Sequence, residues 1–240
     1  MSLRYLQTDL CANQHLPTKM KAAEFISSSP GHRDALIRLV QYICKFLGNV
    51  SVLPQTKQIE LRKLATYIDT ARMISRSFDG VDAWSSLNSS GPRDADHTLT
   101  LGRDGFWLGL CYAEVQYWIG YVSQNPVYTA RCRFYSRLVS ALTLAYNACD
   151  AALTCLRLRR LGSRDQPDPG GGEAAETEIL KLRRHLVKMA LDSLMFLHWA
   201  VDGPAFSLYE WQVGAIGLTS SILGLRMKLQ AYQAKTIKSA

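Results

Sequence analysis

The sequence predicts an all-α fold: a membrane-associated helical bundle with amphipathic N-terminal helices and one or more membrane-embedded helices. Three observations predict it. Helical periodicity dominates the chain, while strand-like alternation bounded by turns is scarce. Three charge-poor runs, at 105–122, 138–156 and 211–225, approach the ~20 residues that a straight span of a bilayer needs. Two basic amphipathic stretches precede the first of these runs.

The 240 residues are 48% hydrophobic, which allows a packed core and argues against global disorder. Mean hydropathy is −0.06, a value open both to a soluble protein and to a membrane protein with few spans. The net charge of +8 favours an acidic partner, either nucleic acid or an anionic membrane face. The arginines are spread over several helices without a helix-turn-helix, RRM or KH pattern, so no nucleic-acid partner is expected. Six cysteines, at 11, 44, 111, 132, 149 and 155, show no CxxC spacing, and neither a disulfide framework nor a zinc site is expected. That usage reads as a reducing compartment. Arg4, Asp9 and His15 interrupt any apolar signal-peptide core. The final Lys235–Ala240 matches neither a Ser-Lys-Leu nor a KDEL address, so an organelle address would be internal.

In chain order, residues 1–29 form an N-terminal segment, read as flexible. The first helix runs from about Arg33 to Gly48, with Ser29 as N-cap, Pro30 in the first turn and Gly48-Asn49 as its end. Leu36, Leu39, Val40, Ile43, Phe46 and Leu47 share one face, expected to pack on a neighbour. Arg33, Arg38, Gln41 and Lys45 lie opposite. The second helix covers about Thr56 to Phe78. At 100° per residue, Leu61, Leu64, Ile68, Ala71 and Phe78 form its apolar stripe. Lys57, Arg62, Lys63, Arg72 and Arg76 supply its basic residues. A surface helix packed on a bundle is the plainer explanation of this pattern. The functional one is an interfacial helix whose stripe enters the acyl boundary while its basic residues meet anionic head groups.

Residues 85–104 read as a polar loop. The run at 105–122 is rich in Trp and Tyr and carries one charge, Glu114. A long helical stretch from Pro126 to Leu161 contains the run at 138–156, in which Asp150 is the one charged residue. Arginines bracket that run, and moving either cluster across a membrane is unfavourable. It is therefore expected along the interface or in a hairpin. Residues 162–178 are a flexible linker by composition, dividing a unit at 30–161 from one at 179–240. The last unit holds a helix ending near Val201, broken by Asp202-Gly203-Pro204, and then the run at 211–225. Gly105 and Gly109 have GxxxG spacing, Ser220 and Gly224 have small-xxx-small spacing, and Gly214 and Gly217 lie nearby. In apolar helices such residues permit close helix association.

There is no nucleophile elbow, HExxH, Walker or dinucleotide motif, so no enzyme, catalytic residue, cofactor or metal is expected. His198, beside Trp199, reads as a packed histidine. Glu114 and Asp150 are functional candidates in a membrane setting and solvent-facing residues in a soluble bundle.

At this point the chain resembles a known family. "PGHRDALIRLVQYICKFLG" resembles the signature opening of the Pex-eleven family of peroxisomal membrane proteins, through Pro30, Gly31, Arg33, Asp34, Arg38, Leu39, Gln41 and Tyr42. His32 and Ala35 depart from it. "DTARMISRSFDGVDAW" is similar to the end of the family's amphipathic helix, with Arg72 and Arg76 at basic positions. "LVKMALDSLMFLHWA" and "VGAIGLTSSILGLRMKL" resemble its Asp-containing helix and its Gly/Ser-rich membrane segment, through Lys188, Asp192, Gly214, Gly217, Ser220, Ser221 and Gly224. The ordered set spans about Pro30 to Leu229.

The resemblance implies a protein of the peroxisomal (or glycosomal) membrane with its termini facing the cytosol. It implies self-association into a homo-oligomer, membrane elongation before organelle fission, and recruitment of fission machinery. Together with the amphipathic pattern, it makes anionic membrane lipids the expected partner of the second helix, with the runs at 105–122 and 211–225 as anchors. A pore for small metabolites, lined by Glu114, Asp150, Asp192 and His198, is the alternative. A soluble helical adaptor is the third reading.

Overall fold

The computed structural model describes residues 22–77, 95–123, 126–163, 172–201 and 206–239. Among these, every regular element is an α-helix: α1 (Ala22–Ser27), α2 (Pro30–Leu47), α3 (Gln55–Ser77), α4 (Ala95–Ser123), α5 (Pro126–Gly162), α6 (Gly172–Ala200) and α7 (Glu210–Ser239). The all-α expectation holds.

Local chemistry sets the ends of α2. The Gly31 N–H donates to Ser29 Oγ at 3.2 Å, and Pro30 occupies the first turn, where its missing N–H costs nothing. At the other end Asn49 Nδ2 donates to the Lys45 carbonyl at 2.7 Å, satisfying one of the orphan acceptors. Gly48 keeps right-handed backbone angles, so it is not needed for a left-handed cap. It is needed for closeness: a Cβ there would stand 2.9 Å from the Cys44 carbonyl and 3.0 Å from Arg62 Cγ.

The helices close a ring. α2 packs on α3, α3 on α4, α4 on α5, α5 on α6, α6 on α7, and α7 returns to α2, with α1 against α2. Two glycines make the closing contact possible. A Cβ on Gly214 would lie 2.8 Å from Phe46 Cα, and one on Gly217 would collide with the Tyr42 ring.

Two expectations about extent change. The segment read as a polar loop at 85–104 is helical from Ala95 onward. Its polar residues are held by tertiary partners: Arg160 Nη1 and Nη2 grip Asp96 at 2.5 and 3.0 Å, and Arg103 lies 3.5 Å from Asp150. Within the stretch read as a linker, the chain is helical again from Gly172. Residues 1–21, 78–94 and 164–171 lie outside the described residues, and with them Phe78, Cys11 and most of that linker.

The inside of the ring is unusually polar. Gln41, Arg72, Glu114, Ser140, Thr143, Asn147, Thr154, Asp192, Ser220 and Ser221 are buried. The outside is correspondingly apolar, with Ile37, Val40, Ile43 and Leu47 on α2, and Val187, Leu194 and Leu197 on α6, exposed. This reverses the expectation for part of α2. Val40, Ile43 and Leu47 of the predicted packing face point outward, Leu36, Leu39 and Phe46 of that face are half-buried, and Ala35, Gln41, Tyr42 and Cys44 are buried. The reason is that the inward polar groups of α2 find charged partners on α3 and α6, which a hydrophobic neighbour would not supply.

Among the described residues, one helix is long and apolar enough to cross a membrane: Phe134–Gly162, within α5. Only 28% of its apolar window is buried in the protein, unlike the core helix of a soluble bundle, and lipid-facing exposure suits it. The run set aside for its flanking arginines is thus the one with span-grade composition. Asp150 within it is neither solvent-facing nor isolated. Its Oδ2 is 2.8 Å from His185 Nε2 on α6, and Arg103 on α4 approaches its other oxygen.

Candidate functional site

The ring of helices surrounds a half-open cavity of about 570 Å³. Its chemistry is ionic. Five basic side chains, Arg38, Lys45, Arg72, Lys188 and Lys228, and four acidic ones, Asp34, Asp69, Glu114 and Asp192, line it, with Trp107, Tyr146 and Trp199 among the aromatic walls.

Asp192 on α6 is the hub. It accepts from the Arg38 guanidinium of α2, from Lys188 Nζ at 2.8 Å one turn earlier on α6, and from Ser220 Oγ on α7 at 2.5 Å. Three elements of the ring are therefore held by one carboxylate. Burial disfavours its charge, but Arg38, Lys188 and Ser220 outweigh burial and hold its carboxyl below the ordinary carboxylate range. Reciprocally, burial pulls the Arg38 guanidinium down, yet the charge of Asp192 and its hydrogen bond keep it above its ordinary value.

A second network joins α2 to α3. Arg72 donates through Nε to Asp34 Oδ1 at 2.8 Å and through Nη1 to Gln41 Oε1 at 2.6 Å, and Gln41 Nε2 donates to Asp69 at 2.8 Å. The Arg72 side chain is only 6% exposed. It faces into the ring, toward Asp34 and Gln41, with its guanidinium satisfied there.

The other residues of the second amphipathic helix fall on both sides of it. Lys57, Arg62 and Lys63 are exposed, as are Leu64 and Ala71, while Leu61 and Ile68 are half-buried. Ile59 and Tyr67, absent from the predicted stripe, are exposed too. Lys57 pairs with Glu60 at 2.8 Å on the surface. Arg76 is helical, and its side chain lies outside the described set, as does Phe78 altogether.

The small residues separate in the same way. Gly214, Gly217 and Ser220 face α2 or the Asp192 hub, and a Cβ on Gly224 would lie 3.0 Å from Lys188 Cε. A Cβ on Gly109 would make ordinary contact with Leu142 on α5, and one on Gly105 would meet nothing within 4 Å. Four of the six thus serve close packing within one chain, and Gly109 packs with room to spare.

Of the residues proposed to line a polar path, Glu114, only 1% exposed, and Asp192 line the cavity. Asp150 and His198 do not. His198 Nδ1 instead accepts the Leu208 N–H at 3.2 Å, fixing the turn into α7. Arg38 and Lys188 entered the sequence reading as helix-face or family positions, without a shared site, and Lys228 was not among the candidates. No local signal joined them, because they sit on three different helices, α2, α6 and α7.

A family model described as peroxisomal biogenesis factor 11 (PEX11) matches residues 20–229. Searches of curated proteins and of solved structures found no match.

Proposed function

The chain belongs to the PEX11 family of peroxisomal biogenesis factors, and from that premise we propose that it remodels the peroxisomal membrane, elongating it ahead of fission. A role in peroxisome biogenesis follows from the membership itself. The remodelling mechanism rests on one observation: the outward face of α3 carries Ile59, Leu64 and Tyr67 exposed beside exposed Lys57, Arg62 and Lys63. Apolar groups at that spacing suit the acyl boundary, and the cations beside them suit anionic head groups. Insertion of such a face into one leaflet expands that leaflet and favours curvature. The exposed apolar faces of α2 and α6 offer the same lipid a further surface, and α5 offers a span. Self-association, recruitment of fission machinery and cytosolic termini belong to this reading as proposals.

The test is reconstitution of the full chain with anionic vesicles at low salt. Wild type should bind and tubulate them, Leu64→Glu should bind and not tubulate, and Lys63→Ala should bind more weakly at low salt with a shallower further loss as salt is raised. Vesicles that stay spherical with bound wild-type protein would sink the mechanism.

A specific observation favours a second reading, a small-solute path. The cavity inside the ring carries charged side chains from α2, α3, α4, α6 and α7, while α2 and α6 expose apolar residues on their outer faces, the arrangement that lets polar groups sit at membrane depth. Planar-bilayer recording of purified protein decides it, since a pore predicts conductance that Glu114→Gln alters, and a silent bilayer removes the reading.

A further inference from the structure

We propose that one end of the cavity is a binding site for a phosphate group, centred on Lys228 of α7. Lys228 is largely withdrawn from solvent, and its Nζ donates to the Gly31 carbonyl at the start of α2. Among the charges acting on it, Asp34 opposes three cations: Lys188, Arg38 and Arg72. The nearby acids are already committed. Asp34 accepts from Arg72, and Asp192 accepts from Arg38, Lys188 and Ser220. Burial first, and then the three cations, hold the Lys228 ammonium below its ordinary value.

The four cations come from four different helices, α2, α3, α6 and α7, so the cluster is built by the closed ring and by no single segment. Backbone closeness makes it possible: a Cβ on Gly31 would sit 3.2 Å from Lys228 Nζ, and one on Gly224 would sit 3.0 Å from Lys188 Cε. A phosphate suits this arrangement better than a single carboxylate, because its oxygens spread in three directions and accept from several cations at once. A cavity of about 570 Å³ leaves room for the rest of a small phosphorylated molecule or for a lipid head group.

The experiment uses the full chain in a phosphate-free detergent, with two probes, inorganic phosphate and dihexanoyl phosphatidic acid, followed by titration calorimetry. Saturable binding of inorganic phosphate supports the site and assigns it a soluble ligand; binding of phosphatidic acid alone supports it and assigns a head group. Lys228→Met should weaken binding about tenfold, the fold-change of one charge-assisted hydrogen bond. Lys228→Arg should retain it, and Lys181→Met, on the exposed surface of α6, should leave it unchanged. A readout that needs no variant is acylation of lysines in wild type followed by mass spectrometry. The bound probe should slow modification of Lys228 and not of Lys181. Absence of saturable binding by both probes, equal binding by Lys228→Met, or equal acylation of Lys228 with and without probe overturns the proposal.

Discussion

Arg38 of α2 and Asp192 of α6, 154 positions apart in the chain, form an ion pair that faces the central cavity, and Ser220 of α7 closes onto the same carboxylate. The pair ties together helices that the sequence separates by most of its length. Removing one partner leaves the other charge buried and unmatched, which costs more than the pair contributes. Asp192→Ala should therefore destabilise the protein by about 3–5 kcal/mol. The double variant Arg38→Met/Asp192→Leu should recover a large part of that loss. Denaturant unfolding of the three proteins in detergent checks both statements.

The same carboxylate gives a pH dependence of known sign. Its folded-state value lies below the ordinary 3.8, so its contribution to stability is fully present above that value and is lost as pH falls through the lower, folded one. The unfolding midpoint of wild type should drop as the pH is taken below about 4, and Asp192→Asn should flatten that part of the curve. A profile of equal steepness in both proteins would remove Asp192 as its cause.

Glycines in the ring should differ sharply from one another. Gly214→Ala meets the Phe46 backbone, which cannot swing aside as a side chain can, and should cost about 1–3 kcal/mol. Gly105→Ala meets nothing and should leave stability unchanged or raise it by up to about 1 kcal/mol, through better helix propensity. Unfolding midpoints of the two variants measure the contrast directly.

Basic residues of α3 should also divide into two kinds. Arg72→Ala removes the buried donor to Asp34 and Gln41 and should lower stability by about 2–4 kcal/mol, partly restored by adding Asp34→Asn. Lys57→Ala and Lys63→Ala should leave the unfolding midpoint unchanged and weaken sedimentation with anionic vesicles. Loss of vesicle binding by Arg72→Ala at temperatures where it remains folded would show that Arg72 acts on lipid directly.

Much of the architecture could be read from residue spacing alone. The helical period, the Ser29-Pro30 start of α2, the Pro126 start of α5 and the absence of strand alternation are local features, and hydrogen bonds within a few residues carry them. The family resemblance was likewise a matter of ordered short motifs, from Pro30 to Leu229. What spacing could not decide is direction. An amphipathic pattern says that Val40, Ile43 and Leu47 share a face and that Arg38, Gln41 and Lys45 share the other; it does not say which one meets the protein. In water the apolar face would turn in. Here it turns out, because Asp192, Asp69 and Arg72 wait inside for the polar one, and those partners lie 28 or more residues away. The same holds for Asp150, whose charge is met by His185 and Arg103 from two other helices. Which residues are helical was thus settled by the chain itself, through local hydrogen bonds and sterics. Which charges face one another around the cavity was decided only when the ring closed, because buried ions are stable only beside partners that tertiary packing brings to them.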